Sequence, residues 1–297
     1  MDFLQHHFVT SGVEIYLWYP PLVAFLIAIL TSTGGISGAF LILPFQISVL
    51  GFATPGVTAT NFLYNMVGTP GGVYRYAREK RMLWPLAVSV IAGTLPGVLI
   101  GYYLRIRFLP DPKAFKLFVG IVLLYIGMRL VSGLLQGPPR PTTPHHEDFC
   151  IGPVTGNLRA FQFNFNRTTV GFGPLVVFLL GIGVGVIGGI YGIGGGAILA
   201  PILITFFGLP VYTIAGAVLA VNFMTFLVGV SVYCSIPFFN GQTAPPDWQL
   251  GVLLGVGGLS GMYLGAKLQR YLPERAIKLV LMTITLVVAS KYILQYF

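Results

Sequence analysis

Eight apolar runs, at roughly 22–43, 48–68, 84–106, 114–135, 174–206, 210–236, 248–269 and 275–296, decide what this chain can become. A helix needs about 20 apolar residues to cross a bilayer, and each run is near or above that length. Only 8% of the 297 residues are charged and mean hydropathy is +0.83, whereas soluble domains carry about 25% charge. The chain is expected to be an all-α polytopic membrane protein with about eight spanning segments. No basic stretch of a signal peptide opens it, and "EIYLWYPP" reads as an interfacial lead-in with Trp18 and Tyr19 at headgroup depth.

Two of the runs, the first and the fifth, are long and contain glycine clusters. "GGISGAFLILP" (34–44) aligns without a gap on "YGIGGGAILAP" (191–201), placing Gly35 on Gly192, Gly38 on Gly195 and Pro44 on Pro201. The echo continues. "TNFLYNMVG" matches "VNFMTFLVG", aligning Asn61 with Asn222. Trp84 aligns with Trp248, and Gly93, Gly97 and Gly101 with Gly257, Gly261 and Gly265. Arg129 falls on Lys291. The expected organisation is a tail (1–19), a transmembrane repeat (20–135), a polar, proline-rich cytoplasmic linker (136–172) and a second repeat (173–297).

Lysine and arginine set the orientation of the repeats. If the halves are inverted, every basic residue lies on the cytoplasmic side except those of the 105–116 loop and Lys291. If they are parallel, about half lie on the wrong side. Inversion needs an odd number of crossings per half, and a break in the first and fifth segments supplies the missing one. Inverted repeats with discontinuous helices are the common build of secondary transporters, whose sites lie near the midplane between the repeats.

The glycine clusters are also where chemistry is expected. Each glycine costs a helix about 0.8–1 kcal/mol relative to alanine, and irregular backbone at membrane depth is tolerated only where protein buries it or water wets it. A helix that starts there presents free N–H groups and a positive dipole end to an anion. Gly192, Gly194, Gly195, Gly196 and Ala197, and by symmetry Gly35, Ser37, Gly38 and Ala39, are the candidate binding residues. Thr33 and Ser37 add hydroxyls. Asn61, Asn222 and Asn65 are read as carboxamides inside the spans, where an amide must be satisfied or functional. The competing explanation, close helix packing, fits the ladders Gly181/Gly185, Gly97/Gly101 and Gly257/Gly261/Gly265 better.

Absences narrow the function. All eight acidic residues lie in loops, tails or span ends, so a cationic substrate and proton coupling through a buried carboxylate are unsupported. "GIGGGA" imitates a dinucleotide fingerprint but has no acidic residue about 20 positions on. The pairs His6–His7 and His145–His146 have no third ligand nearby, Cys150 and Cys234 read as free thiols, and no nucleophile–base pair suggests an enzyme. No cofactor or metal is expected. The net charge of +9 sits in loops and serves orientation, not nucleic acid. Arg129 and Lys291 snorkel from their last turns or line a basic vestibule.

With the repeat and the glycine clusters in view, the chain resembles the TauE/SafE family of membrane permeases, the sulfite exporter family. "GIGGGAILAPIL", its weaker copy "GGISGAFLILPF", the "AVNF" and "ATNF" segments and the GxxxG spans after Trp84 and Trp248 carry the resemblance over about 20–295. It implies an inner-membrane carrier of sulfite, sulfoacetate or other sulfonates, with the lipid bilayer and a small anion as its partners. The first copy departs from the glycine-rich form, with Ser37 and Ala39 where the second has Gly194 and Gly196. The alternatives are a carboxylate or other small-anion carrier, and a non-transporting membrane scaffold. The glycine-lined faces of the third and seventh spans would let two copies pair as a homodimer.

Overall fold

A computed structural model describes residues 5–33, 37–78, 82–135, 155–157, 160–165, 168–207, 209, 211–237, 241, 243–268 and 274–297. Gly35, the pair His145–His146 and Cys150 lie outside the described residues, and so does most of the expected linker. In chain order the elements are β1 (Gln5–Phe8), β2 (Val13–Tyr16), α1 (Tyr19–Thr33), α2 (Ala39–Ser48), α3 (Gly56–Gly68), α4 (Pro70–Arg78), α5 (Trp84–Arg107) and α6 (Pro112–Leu135). Then come β3 (Thr155–Asn157), β4 (Ala160–Phe165), β5 (Thr168–Phe172), α7 (Pro174–Tyr191), α8 (Gly196–Phe207), α9 (Val211–Ser235), α10 (Trp248–Leu268) and α11 (Glu274–Leu294).

The protein is helical and polytopic. Five described helices are long and apolar enough to cross a membrane: 84–107, 112–135, 174–191, 214–235 and 276–294. Their outer faces expose Leu99, Ile121, Met128, Leu175, Leu179, Val280 and Val287, as a lipid-facing surface requires. Two small antiparallel sheets lie outside the helices. The tail is a hairpin pairing Gln5 with Tyr16 and Phe8 with Val13, and β3–β4–β5 form a three-stranded sheet within the expected linker. Its register pairs Phe163 with Val170.

The chain divides into two compact units. The first comprises 1–68, 103–139 and 230–297. In it α1 lies along α10, where a Cβ on Gly257, Gly261 or Gly265 would press on the carbonyl oxygens of Pro21, Phe25 and Ile29 in turn. Bare glycine lets the two backbones touch. Helices α6 and α11 also pair: Gly120 faces Tyr292 while Gly127 faces Leu286, so they run antiparallel. Asp247 anchors the hairpin and starts α10. Its carboxylate accepts from Ser11 Oγ at 2.7 Å, from Ser11 N–H at 3.0 Å and from the Leu250 N–H at 3.0 Å. The last of these is an N-cap bond.

The second unit comprises 69–102 and 140–229. Its core gathers Leu83, Leu86, Val90, Val177, Leu199, Leu203 and Val221. Here α5 lies along α7, and a Cβ on Gly93, Gly97 or Gly101 would press on the carbonyl oxygens of Phe178, Ile182 and Val186. Gly181, Gly185 and Gly189 reciprocate against Val90, Thr94 and Val98. The glycine faces offered above as a surface for a second copy are therefore covered within the chain itself.

Two elements depart from their sequence counterparts for local reasons. In the first half the helix carrying Asn61 stops at Gly68 and α4 begins at Pro70, whereas α9 runs on past Gly229 to Ser235. Proline lacks the N–H that would continue a helix and disfavours helical backbone before it. Arg105, counted above with an outer loop, is fully buried instead. It donates to the Leu109 carbonyl and to the Ala53 carbonyl at 3.4 Å, and its guanidinium centre lies 3.6 Å from the centre of the Phe115 ring. This arginine binds the end of its own helix, where a cation meets the negative dipole end.

Candidate functional site: two helix openings in apolar sequence

The second-half opening is built from glycine geometry. Helix α7 ends on Gly192, whose φ of 84° is left-handed and whose N–H donates to the Gly188 carbonyl at 2.7 Å. Gly194 is also left-handed, with φ 65°. Neither position tolerates a side chain without strain. The chain resumes as α8, with the Gly195 carbonyl accepting from Leu199 at 2.8 Å and from Ile198 at 3.1 Å. The Gly196 N–H donates to Asn222 Oδ1 at 2.7 Å, so the carboxamide of α9 caps α8.

The same glycines are pressed by neighbours. A Cβ on Gly194 would lie 2.6 Å from the Phe226 ring, one on Gly196 would collide with the Asn222 carboxamide, and one on Gly195 with Val184. The residues from Gly192 to Gly196 are all buried. Sequence reasoning expected free N–H groups here. The structure partners the Gly196 amide internally and fills the space beside it.

The first-half opening is built from polar side chains. Helix α1 ends at Thr33, whose side chain lies outside the described atoms, and α2 starts at Ala39. Gly38 has ordinary helical backbone, φ −65° and ψ −14°, so the reason for glycine is space. A Cβ there would lie 2.9 Å from Tyr64 Oη and 3.0 Å from Thr31 Oγ1.

A chain of hydrogen bonds crosses the opening. The Ala39 N–H reaches Ser37 Oγ at 3.4 Å, Ser37 Oγ donates to Asn65 Oδ1 at 3.5 Å, and Asn65 Nδ2 donates to the Asn61 carbonyl at 2.7 Å. Asn61 Nδ2 donates to the Ala39 carbonyl at 3.3 Å, and Gln46 Nε2 donates to Asn61 Oδ1 at 3.5 Å. Most of these contacts are at the long limit of hydrogen bonding. Asn61 thus meets Ala39 as Asn222 meets Gly196, the same aligned pair in each half, through different atoms.

Three residues here escaped sequence reasoning. Gln46 lies between the expected runs at 22–43 and 48–68; it is fully buried inside α2, so the three asparagines are not the only buried carboxamides. Thr31 and Tyr64 are buried as well. Tyr64 stands three residues after Asn61 and one before Asn65, and that helical spacing was the available signal.

Elsewhere the chemistry is sparse. His6 Nε2 pairs with Gln249 Oε1 at 2.8 Å, and His7 lies 3.2 Å from Glu14. Among the described residues no group of three His, Cys, Asp or Glu could hold a metal. Arg129 and Lys291 are both exposed. A shallow groove beside Lys291 is lined by Leu286, Val287, Ser290 and Leu294, a mostly apolar outer face with none of the opening residues in it.

Comparison with known proteins assigns the chain to a family. A family model described as sulfite exporter TauE/SafE matches residues 21–292. A curated relative, "Probable membrane transporter protein YunE" of Bacillus subtilis (strain 168), is 22% identical over 221 residues, 74% of each chain. No solved structure matches.

Proposed function

The chain belongs to the sulfite exporter TauE/SafE family of membrane transporters, and from that premise we propose an inner-membrane permease that exports sulfite, sulfoacetate or related sulfonates. The observation that carries this reading is the pair of helices, α2 and α8, that begin inside apolar sequence. A helix start has a positive dipole end and backbone donors, which favour an anion. Around these starts the described residues supply carboxamides and hydroxyls but no carboxylate. An anion leaving an inside-negative cell gains about 2.3 kcal/mol per charge per 100 mV, so export needs no coupled ion.

The architecture proposed for this work is two inverted repeats with eight spanning segments, the first and fifth broken at their glycines, and a cytoplasmic linker. Two facts support it. The ladder of α10 on α1 and the ladder of α5 on α7 use aligned glycines against aligned carbonyls. Helices α6 and α11, which carry the aligned Arg129 and Lys291, run antiparallel, as inversion requires.

The test is flux in proteoliposomes of purified protein, with sulfite, sulfoacetate and acetate as substrates under an imposed voltage and then an imposed pH gradient. Sulfur-anion flux that follows voltage and ignores the pH gradient is the expected result. Flux of acetate alone would replace the substrate class with carboxylates, the second reading. No anion flux from folded protein would leave only a scaffold.

A further inference from the structure

The two openings are unequal, and the inequality reverses what glycine density suggests. In the second half internal bonds hold the opening: Gly196 N–H donates to Asn222 Oδ1, and Thr225 Oγ1 donates to the Val221 carbonyl at 2.8 Å. Phe226 and Val184 fill the remaining space. In the first half the residue aligned with Thr225 is Tyr64, and the residue aligned with Phe226 is Asn65. Tyr64 is 2% exposed, and its hydroxyl has no hydrogen-bond partner. A buried hydroxyl left unpaired is costly, so its persistence calls for a use.

Its position suggests one. Tyr64 Oη comes within 2.9 Å of where a Cβ on Gly38 would sit, one residue before α2 begins. Gly258 also leaves room for this side chain, since a Cβ there would press on Tyr64 Cε2 and lie 3.0 Å from its hydroxyl. Two glycines thus make space for an aromatic ring whose hydroxyl lies at the start of α2. Gln46 Oε1, farther along α2, is likewise buried and unpartnered. A neutral phenol and a helix start are both donors to an oxyanion.

Resting on the permease reading above, we propose that substrate is recognised by the first half alone, with Tyr64 donating to an oxyanion oxygen of the transported anion at the opening of α2. The glycine-rich opening of α8 is then a structural partner, closed by its own asparagine.

The experiment compares wild-type protein, Tyr64→Phe and Thr225→Val in detergent. It reads the melting temperature without ligand, then the apparent Kd for sulfite and for sulfoacetate from ligand-induced stabilisation. Tyr64→Phe keeps the ring on Gly258 and removes only the unpaired hydroxyl. The expected result is an unchanged or higher melting temperature without ligand and at least tenfold weaker anion binding, about 1.4 kcal/mol, while Thr225→Val binds as wild type does. Equal binding by wild type and Tyr64→Phe would overturn the proposal and leave the permease reading standing. So would a loss in Thr225→Val as large as that in Tyr64→Phe. A lower melting temperature of Tyr64→Phe without ligand would mean that the hydroxyl is structural, and would also overturn it. No anion binding by folded wild-type protein would overturn both.

Discussion

Asn222 and Asn61 show how one residue type settles into two roles. Asn222 satisfies the first amide of α8 with a short bond, while Asn61 is one link in a looser chain through Gln46 and Ala39. Removing the first should therefore be felt by the fold. Asn222→Ala is expected to lower stability by about 1 kcal/mol, the usual loss for an N-cap oxygen, seen as a lower melting temperature before any ligand is added. The sequence made both asparagines visible, because a carboxamide in an apolar run stands out. It hid Gln46 because a proline and a run boundary sit beside it, and it hid Tyr64 because an aromatic in an apolar run looks like packing. It also misplaced Arg105: a charge at a run's end reads as loop, and only the fold brings the Ala53 and Leu109 carbonyls to it.

The glycine ladders work through pairs of helices rather than single positions. A methyl group at Gly97 would meet the Ile182 carbonyl, and one at Gly261 the Phe25 carbonyl. Backbone cannot step aside as a side chain can. Gly97→Ala and Gly261→Ala are each expected to cost about 1–3 kcal/mol of overpacking, whereas Gly133→Ala, with nothing within 4 Å, should be neutral or mildly stabilising. Thermal unfolding of the three variants in one detergent checks this. That the ladders pack was legible from small-xxx-small spacing alone. Which helix fills each ladder was not, since spacing names a face and not its partner. The ends of α7 and the start of α8 fall on the glycines that the sequence marks, since left-handed backbone at Gly192 and Gly194 is what those residues permit. The strands of the tail and linker went unread because short polar segments carry too little period to register.

For the whole molecule, side-specific labelling tests inversion directly. In a background of Cys150→Ser and Cys234→Ser, Arg78→Cys and Gln269→Cys should react with a membrane-impermeant thiol reagent from the same side, and Asp111→Cys from the opposite side. Parallel halves would place Gln269→Cys with Asp111→Cys instead. Burial of Arg105 strengthens the charge argument that motivates the test, because a cation held by carbonyls inside the fold no longer votes with its loop. Each compact unit also mixes early and late chain, and this governs how the protein is made. A nascent chain that has reached Gly229 holds every segment of the second unit. Helix α1, threaded first, must still wait for α10, its glycine-matched companion, which emerges more than two hundred residues later. Until then the surface of α1 meant for bare backbone meets lipid, and the insertion machinery is left holding an unfinished half that no earlier segment can close.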